Sequence, residues 1–406
     1  MTPEVVVVGA GPAGAAVSIL LARQGHRVLL MDRAHFPRDK ACAEYLSPAC
    51  SALLDDLGVL ADVCATQPQR LQGMRVTDYQ GHSCVGHFVH HGRPLHGLAL
   101  PRYVLDYLLV QRACEVGVEL QTGCVVRQPL LRSQRVCGVT GMRQGKSVTV
   151  EAQLVIAADG RHSVLGRRLG VIRHVRWLQH VAFVTHYTQV HASQPYGEMF
   201  LLPGGYVGLS PVAEDIVNVS LVLHRRALAR AQCRPAALLA AAVQAQPELR
   251  QRFAQAVRIK PILATGPMAQ RTLSPSQDGI LFVGDAAGFF DPFTGQGIYL
   301  ALQSATLAAA AAHQALSTGD TSALSLRQYY LAHHRVYDDK YRLSALIQLG
   351  LRVPWLANWA IQRLAQTSGL ADTIVGVTGD FLPPQAVLSL DFARRLCHPR
   401  ALNGQA

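Results

Sequence analysis

Gly9, Gly11 and Gly14 stand in the hexapeptide Gly-Ala-Gly-Pro-Ala-Gly, directly after an apolar, β-branched run at residues 4–8 and directly before an apolar helical stretch. In that context the glycines form a dinucleotide fingerprint. The first permits the turn, the second lets the backbone approach a pyrophosphate, and the third lets helix and strand pack closely. Pro12 and Ala13 open the helix, whose unpaired N–H groups and positive dipole end would face the phosphates. Asp32 ends the next strand, about 20 residues on, where it can accept from a ribose hydroxyl, and Arg33 beside it joins the cofactor set. A packing turn of small residues would explain the glycines but not Asp32.

A second constellation begins at Gly284-Asp285-Ala286-Ala287-Gly288 and runs through Pro292 to Gly295, Gln296, Gly297 and Ile298. A strand delivers an aspartate, a proline-containing loop follows, and a glycine pair opens a long helix. Asp285 could then bind a polyol hydroxyl while the helix N-terminus points at a ring that becomes anionic on reduction. Taken alone, the same residues could be an ordinary strand-turn-helix junction.

These motifs need a scaffold, and hydrophobic periodicity supplies one. Residues 4–8, 12–24 and 27–31 read as a βαβ unit, 73–89 as hairpins, 102–116 as a helix, 118–121 as a strand and 148–157 as sheet. Alternating runs at 180–190, 198–202, 206–209 and 216–223 predict a separate antiparallel sheet, followed by helix over 235–257. Strand 279–283 and the helix after Gly295 return to α/β texture, and the chain beyond Thr321 is mainly helical, broken by Pro354, Pro383 and Pro384. The fold class expected is α/β: a Rossmann-like dinucleotide-binding domain with an inserted antiparallel-sheet domain and a helical C-terminus. Its segments are 1–72, 101–175 and 266–320 for the first domain, 73–100 and 176–265 for the second, and 321–406 for the helical end.

Composition narrows the class. The chain has 406 residues, half of them hydrophobic, which is enough for a large core. Nine cysteines lack the short pairings of a zinc site or disulfide framework, so reduced thiols in a cytoplasmic protein are expected. Residues 5–22 are nearly all apolar, but Glu4 precedes them without a basic leader, and the glycines suit a strand, turn and helix better than a signal peptide. Residues 300–316 are interrupted by Gln303, Ser304, His313 and Gln314, so no transmembrane segment is expected. The formal charge of +12 is carried almost entirely by arginine. Such a field draws in phosphorylated ligands, NADPH or an acidic carrier protein, unless it merely reflects an arginine-rich genome. The arginines are scattered without interleaved aromatics, which argues against nucleic acid. His82, His87, His90, His91 and His96 invite a metal reading but lack an acidic or cysteine companion at ligand spacing, so no metal is expected.

With the first motif, Ala157-Ala158-Asp159-Gly160 and Gly284-Asp285 resemble the three fingerprints of the flavoprotein superfamily that includes para-hydroxybenzoate hydroxylase, flavin-dependent halogenases and geranylgeranyl reductases. The resemblance spans residues 4–305 and implies FAD extended between the two domains. It assigns Asp285, with Gly284, to the ribitol and pyrophosphate end, and Pro292, Gly295, Gln296, Gly297 and Ile298 to the flavin ring. Arg102, in Pro-Arg-Tyr-Val-Leu-Asp, matches an arginine near the FAD phosphates, and Val126 matches a backbone contact to adenine. Phe36 to Glu44 is similar to the segment that passes beside the isoalloxazine, which brings in Arg38, Cys42 and Ala43, the last in place of the usual glycine. Cys42 could be a redox thiol or could pack at the ring edge. Asp159 and Gly160 form a turn that in the superfamily touches the flavin phosphates and is credited with a nicotinamide role.

No second glycine fingerprint exists, so NADPH or NADH would visit transiently or a partner would supply reduced flavin. The halogenase Trp-x-Trp-x-Ile-Pro segment is absent; Gly205 to Pro211 stands there instead. The loop at Pro292 to Ile298 is similar to the reductase branch, whereas Gln296 is typical of hydroxylases. Tyr206 and Pro211 match only part of the reductase Tyr-x-Trp-x-Phe-Pro motif, with Gly208 replacing tryptophan. Monooxygenation of a hydrophobic or aromatic small molecule, free or carrier-bound, is the expectation. Reduction of carbon–carbon double bonds is the alternative, and a non-catalytic flavin-binding partner with a docking face at Trp355, Leu356, Trp359 and Ile361 is a third. Met199, Tyr206 and Ser210 on the inserted sheet are the substrate candidates, and no general acid or base stands out.

Overall fold

The computed structural model describes residues 2–191, 195–229 and 234–397; Cys233 and the last residues of the chain lie outside this set. Five parallel strands form the first sheet, in the order Glu119–Gln121, Val28–Met31, Val5–Val8, Leu154–Ala157, Ile280–Phe282. Its central strand is four consecutive valines, all buried. Such an unbroken apolar run is what a parallel strand covered on both faces requires. Val5 and Val7 face the helices Pro12–Arg23, Arg102–Glu115 and Gly297–Thr318, while Val6 and Val8 face a three-stranded meander that includes Val126 and Val139. Residues 148–157 are thus not one strand. Lys146–Glu151 belongs to the meander, and the chain crosses at Ala152 into Leu154–Ala157 of the parallel sheet.

The second sheet is built on His180–Thr188, Ile216–His224, Gly205–Ala213 and Tyr196–Leu202, all antiparallel, and is extended by Gly73–Thr77, which runs parallel to Tyr196–Leu202, and by Ser83–His87. Segment 73–100 is therefore only in part a hairpin of this sheet. Gly97–Ala99 pairs instead with Tyr45–Leu46 and Gln69–Leu71. Alternation along each strand gives the sheet two apolar faces. Phe200, Leu202, Val219 and Leu221 pack on the helices Pro235–Ala245 and Pro247–Arg252; Met199, Leu201, Tyr206 and Val222 look the other way, toward Phe289, Phe293 and the helix Pro354–Gln366.

The helix expected over 235–257 is split. Gln246 takes an extended conformation (φ −112°, ψ 120°) because Pro247 crowds a helical residue before it, and the second piece ends at Arg252. The helical C-terminal region begins with Ala323–Leu351, which buries Tyr329 so that its hydroxyl donates to the Phe282 carbonyl at 2.6 Å. Among the described residues no helix is long and apolar enough to cross a membrane.

Candidate active site

Each glycine of the first motif has a distinct steric reason. Gly9 sits at φ +102°, and a Cβ there would meet the Ala158 carbonyl oxygen at 2.4 Å. At Gly14 a Cβ would lie 1.8 Å from the Gly9 oxygen, so helix and strand could not approach. A Cβ on Gly11 would meet only the Arg38 guanidinium, at 3.9 Å; space is left open at the helix start. Asp32 pins this turn, Oδ2 accepting from the Ala10 N–H at 2.7 Å and Oδ1 from Ala34 at 2.8 Å. Neighbouring Arg33 is exposed, and Val126 is buried in the meander beneath the sheet.

The three distant motifs converge. Gly9 rests against Ala158 and Asp159, and a Cβ on Gly284, at φ +58°, would come within 2.8 Å of the Ala13 methyl. Lys40 lies 3.7 Å from the Cβ position of Gly160. Burial raises the pKa of Asp285, against the pull of Lys40, Arg161 and Arg102. The pKa of Lys40 falls, through burial first and then through Arg102 and Arg38. Asp159 accepts from the N–H groups of Val164 and Leu165 through Oδ2, while its Oδ1 is buried without a partner. These groups fit FAD: an open helix N-terminus for phosphates, basic side chains beside it, and an acid, Asp285, ready for hydroxyls.

Arg102 and Arg38 share one carboxylate, and Arg38 Nη2 lies 3.9 Å from the Cβ position of Gly11. Arg102 forks onto Asp106 at 2.7 and 2.8 Å, and Arg38 reaches the same carboxylate at 2.9 Å. Burial would pull the Arg102 pKa down, and Asp106 more than reverses it, so the guanidinium stays charged. Asp106 is fully buried; it ends the Pro-Arg-Tyr-Val-Leu-Asp segment, where the motif assigned it no role of its own.

At the other end Gly295, at φ +69°, packs its Cα side on the Tyr45 ring, and Gly297 starts the long helix with Ile298 buried. Gln296 borders the same small pocket as Asp285 and Gly297. Its side-chain amide turns inward and donates to the Val377 carbonyl at 3.2 Å and to Asp380, which also holds Lys340 and Ser47. Cys42 is a free thiol whose Sγ accepts from the Glu44 N–H at 3.3 Å, and every described cysteine is free. Ala43 precedes Glu44, on which the left-handed conformation falls (φ +60°). Glu44 in turn binds His186 at 2.6 Å and Asn218 at 2.9 Å, and Asn218 also donates to the Cys42 carbonyl.

Met199 and Tyr206 share the sheet face that looks toward Phe289 and Phe293, and Ser210, two alternations beyond Tyr206, lies on it too. The Ser210 hydroxyl is buried without a partner. The Tyr206 hydroxyl donates to Asp291 Oδ1 at 3.1 Å, and Gln348 donates to the same oxygen at 2.7 Å. Asp291 Oδ2 faces His180 Nδ1 at 2.6 Å. Asp291 directly precedes Pro292, and its partners His180, Tyr206 and Gln348 line a cavity of about 890 Å³ together with Trp177 and Tyr79. The sequence offered Asp291 inside a quoted motif but gave no local sign of His180 or Gln348. His87, His90 and His91 make ring contacts and His82 hydrogen-bonds Asp78, and among the described residues no cluster could hold a metal ion.

The FAD binding domain family matches residues 2–338. A digeranylgeranylglycerophospholipid reductase of Methanothrix thermoacetophila is 31% identical over 340 residues, covering 81% of this chain and 82% of that one. The enzyme of the same name from Methanosarcina mazei is 28% identical over 345 residues, covering 80% and 79%. Among solved structures, a flavin-dependent brominase superposes with a TM-score of 0.83 at 21% identity, covering 97% of this chain and all of that one. A geranylgeranyl bacteriochlorophyll reductase-like protein of Thermoplasma acidophilum gives 0.79 at 21%, covering 96% and 98%. The glycine turn, the convergent acids and these likenesses agree: the chain belongs to the FAD binding domain family and is an FAD-dependent oxidoreductase.

Proposed function

We propose that this protein reduces carbon–carbon double bonds in a hydrophobic substrate, the reading that was the alternative to monooxygenation. The observation that carries it is the run of relatives named digeranylgeranylglycerophospholipid reductase, which align over four fifths of this chain. In this reading the N–H groups around Gly11, Pro12 and Ala13 hold the FAD pyrophosphate, Asp32 a ribose, and Asp285 the ribitol hydroxyls. Bound FAD would supply a two-electron carrier able to give hydride to an activated alkene, recharged by NADPH or NADH as a transient visitor.

The chain's own part is to orient the alkene, exclude water and supply a proton. His180 is placed for the last task. In this reading Nδ1–H donates to Asp291, which fixes the tautomer and leaves Nε2 to carry a proton in and out. Burial, and then Asp291, hold the Tyr206 phenol well above its usual pKa, so it keeps its proton and serves as a fixed wall and donor. Monooxygenation needs a water-poor pocket. The cavity mouth here carries exposed arginines, and the side-chain amide of Gln296, the support for monooxygenation in the sequence, is engaged by the Val377 carbonyl and Asp380.

Product analysis with and without oxygen tests this. Reduced protein given a polyene alcohol in strict anaerobiosis should yield product with two added hydrogens, and the His180→Gln variant should lose most of that yield while keeping its yellow cofactor. Turnover that requires oxygen and adds an oxygen atom to the substrate would overturn the reading.

A further inference from the structure

The mouth of the large cavity is more basic than reduction of a plain alkene demands. Arg176, Arg225, Arg226 and Arg352 all line it, and all four are exposed. They come from three separate elements: the loop before His180, the helix Arg225–Ala229, and the end of the helix Ala323–Leu351. Arg225 meets only the Gln179 side-chain oxygen, at 3.5 Å. Arg352 donates to the Trp177 carbonyl and lies 4.8 Å over the Trp177 ring. Among the described residues no carboxylate comes within the 4.0 Å of an ion pair with any of the four, and no acid lines the cavity.

Four guanidinium groups without a counter-charge repel one another, an arrangement that costs stability unless an anion is bound there for part of the protein's cycle. The field reaches inward: the pKa of His224 is lowered, by burial first and then by His180, Arg352 and Arg226. Beyond the arginines the wall changes character to Tyr79, Trp177 and Leu351, and then to the His180, Tyr206 and Gln348 end beside the Pro292 loop. Charge at the mouth, aromatic and aliphatic wall in the middle and the proton-handling pair inside describe an amphiphile read from its head to its reacting carbon.

We propose that Arg176, Arg225, Arg226 and Arg352 form an anion subsite that anchors a carboxylate or phosphate on the substrate, at the end remote from the bond that reacts. Guanidinium groups bind such oxyanions through paired N–H donors, which Arg supplies and Lys does not. This rests on the cavity being the substrate's, not on which chemistry follows, so its test reads binding alone.

Octyl phosphate, octanoate and octanol are titrated into the FAD-loaded protein at low salt, with binding read by isothermal titration calorimetry. At least one of the anions should bind about tenfold or more tightly than octanol, with the gap closing as salt rises. Preference for octyl phosphate or for octanoate tells which oxyanion the subsite takes. The double variant Arg226→Gln/Arg352→Gln alters two exposed side chains, so it should keep FAD absorbance and melt no earlier than the unaltered protein while the anions fall to the affinity of octanol. Equal binding of octanol and both anions to the unaltered protein, or an anion preference that survives in the double variant, would overturn the subsite. A protein that passes this test yet reduces no alkene would separate the subsite from the proposed reaction.

Discussion

Gly11→Ala and Gly14→Ala should fail in different ways, because the two glycines are spared a side chain for different reasons. At Gly14 the added methyl would sit 1.8 Å from the Gly9 oxygen and 3.0 Å from the Ala158 Cβ, both parts of the turn and sheet that cannot yield without moving the helix. Relief requires a backbone shift, and overpacking of this kind costs about 1–3 kcal/mol, so Gly14→Ala should lower the melting temperature even without flavin. At Gly11 the backbone is extended, at φ −79° and ψ −175°, which alanine adopts freely, and its methyl would meet only the Arg38 guanidinium at 3.9 Å. Folding should be untouched. What the methyl does fill is the approach to the helix N-terminus; displacing a phosphate from even one or two N–H donors forfeits about 1.5–3 kcal/mol each, hence a roughly 10- to 100-fold weaker Kd for FAD or more. Titration of the apoprotein with FAD by fluorescence quenching, beside calorimetry of the apoprotein, reads both quantities. A Gly11→Ala variant that binds FAD normally, or one whose apoprotein melts as early as Gly14→Ala, would refute the steric account.

Two further outcomes follow from buried charge. Asp106→Asn leaves the guanidinium groups of Arg102 and Arg38 without their carboxylate, and denaturant titration should show a loss of about 3–5 kcal/mol, whereas Glu151→Gln, which breaks an exposed pair with Arg132, should cost under about 1 kcal/mol. Similar losses in both would mean that the Asp106 network contributes nothing special. His333 stacks on Tyr337 at 3.8 Å, and burial lowers its pKa from 6.5 to about 4. Both states are neutral above pH 6.5; as pH falls through 6.5 toward 4 the unfolded chain takes a proton that the native one refuses, and stability drops by up to about 3 kcal/mol. His333→Phe should flatten the stability profile in that window, and an unchanged slope would assign the acid sensitivity elsewhere.

What the sequence disclosed was what depends on neighbours in the chain. The glycine turn, Asp32 and the Gly284-Asp285 junction are fixed by strand, turn and helix within a few tens of residues, and their geometry follows the steric rules read from composition. The apolar, β-branched run at residues 4–8 likewise marked the first strand. Networks that join distant segments were silent: His180 and Asp291 are 111 positions apart, Glu44 and His186 are 142, and Gln348 lies on a helix with no motif of its own. Gln296 is a subtler case. Its place in the loop was legible, but the direction of its side chain is set by Asp380 and the Val377 carbonyl, which arrive from the C-terminal region. The break before Pro247 was written in the sequence and overridden only by the apolar periodicity around it.

The most direct measurement follows the flavin through one anaerobic turnover. Protein photoreduced without oxygen is mixed with a stoichiometric amount of an anionic polyene amphiphile, and the oxidised flavin absorbance is followed in stopped flow with the product collected. Reduction of the alkene predicts return of the oxidised band in step with formation of saturated product, slowed strongly by His180→Gln. A flavin that stays reduced under these conditions, and reoxidises only when oxygen is admitted with an oxygen atom appearing in the product, would contradict it.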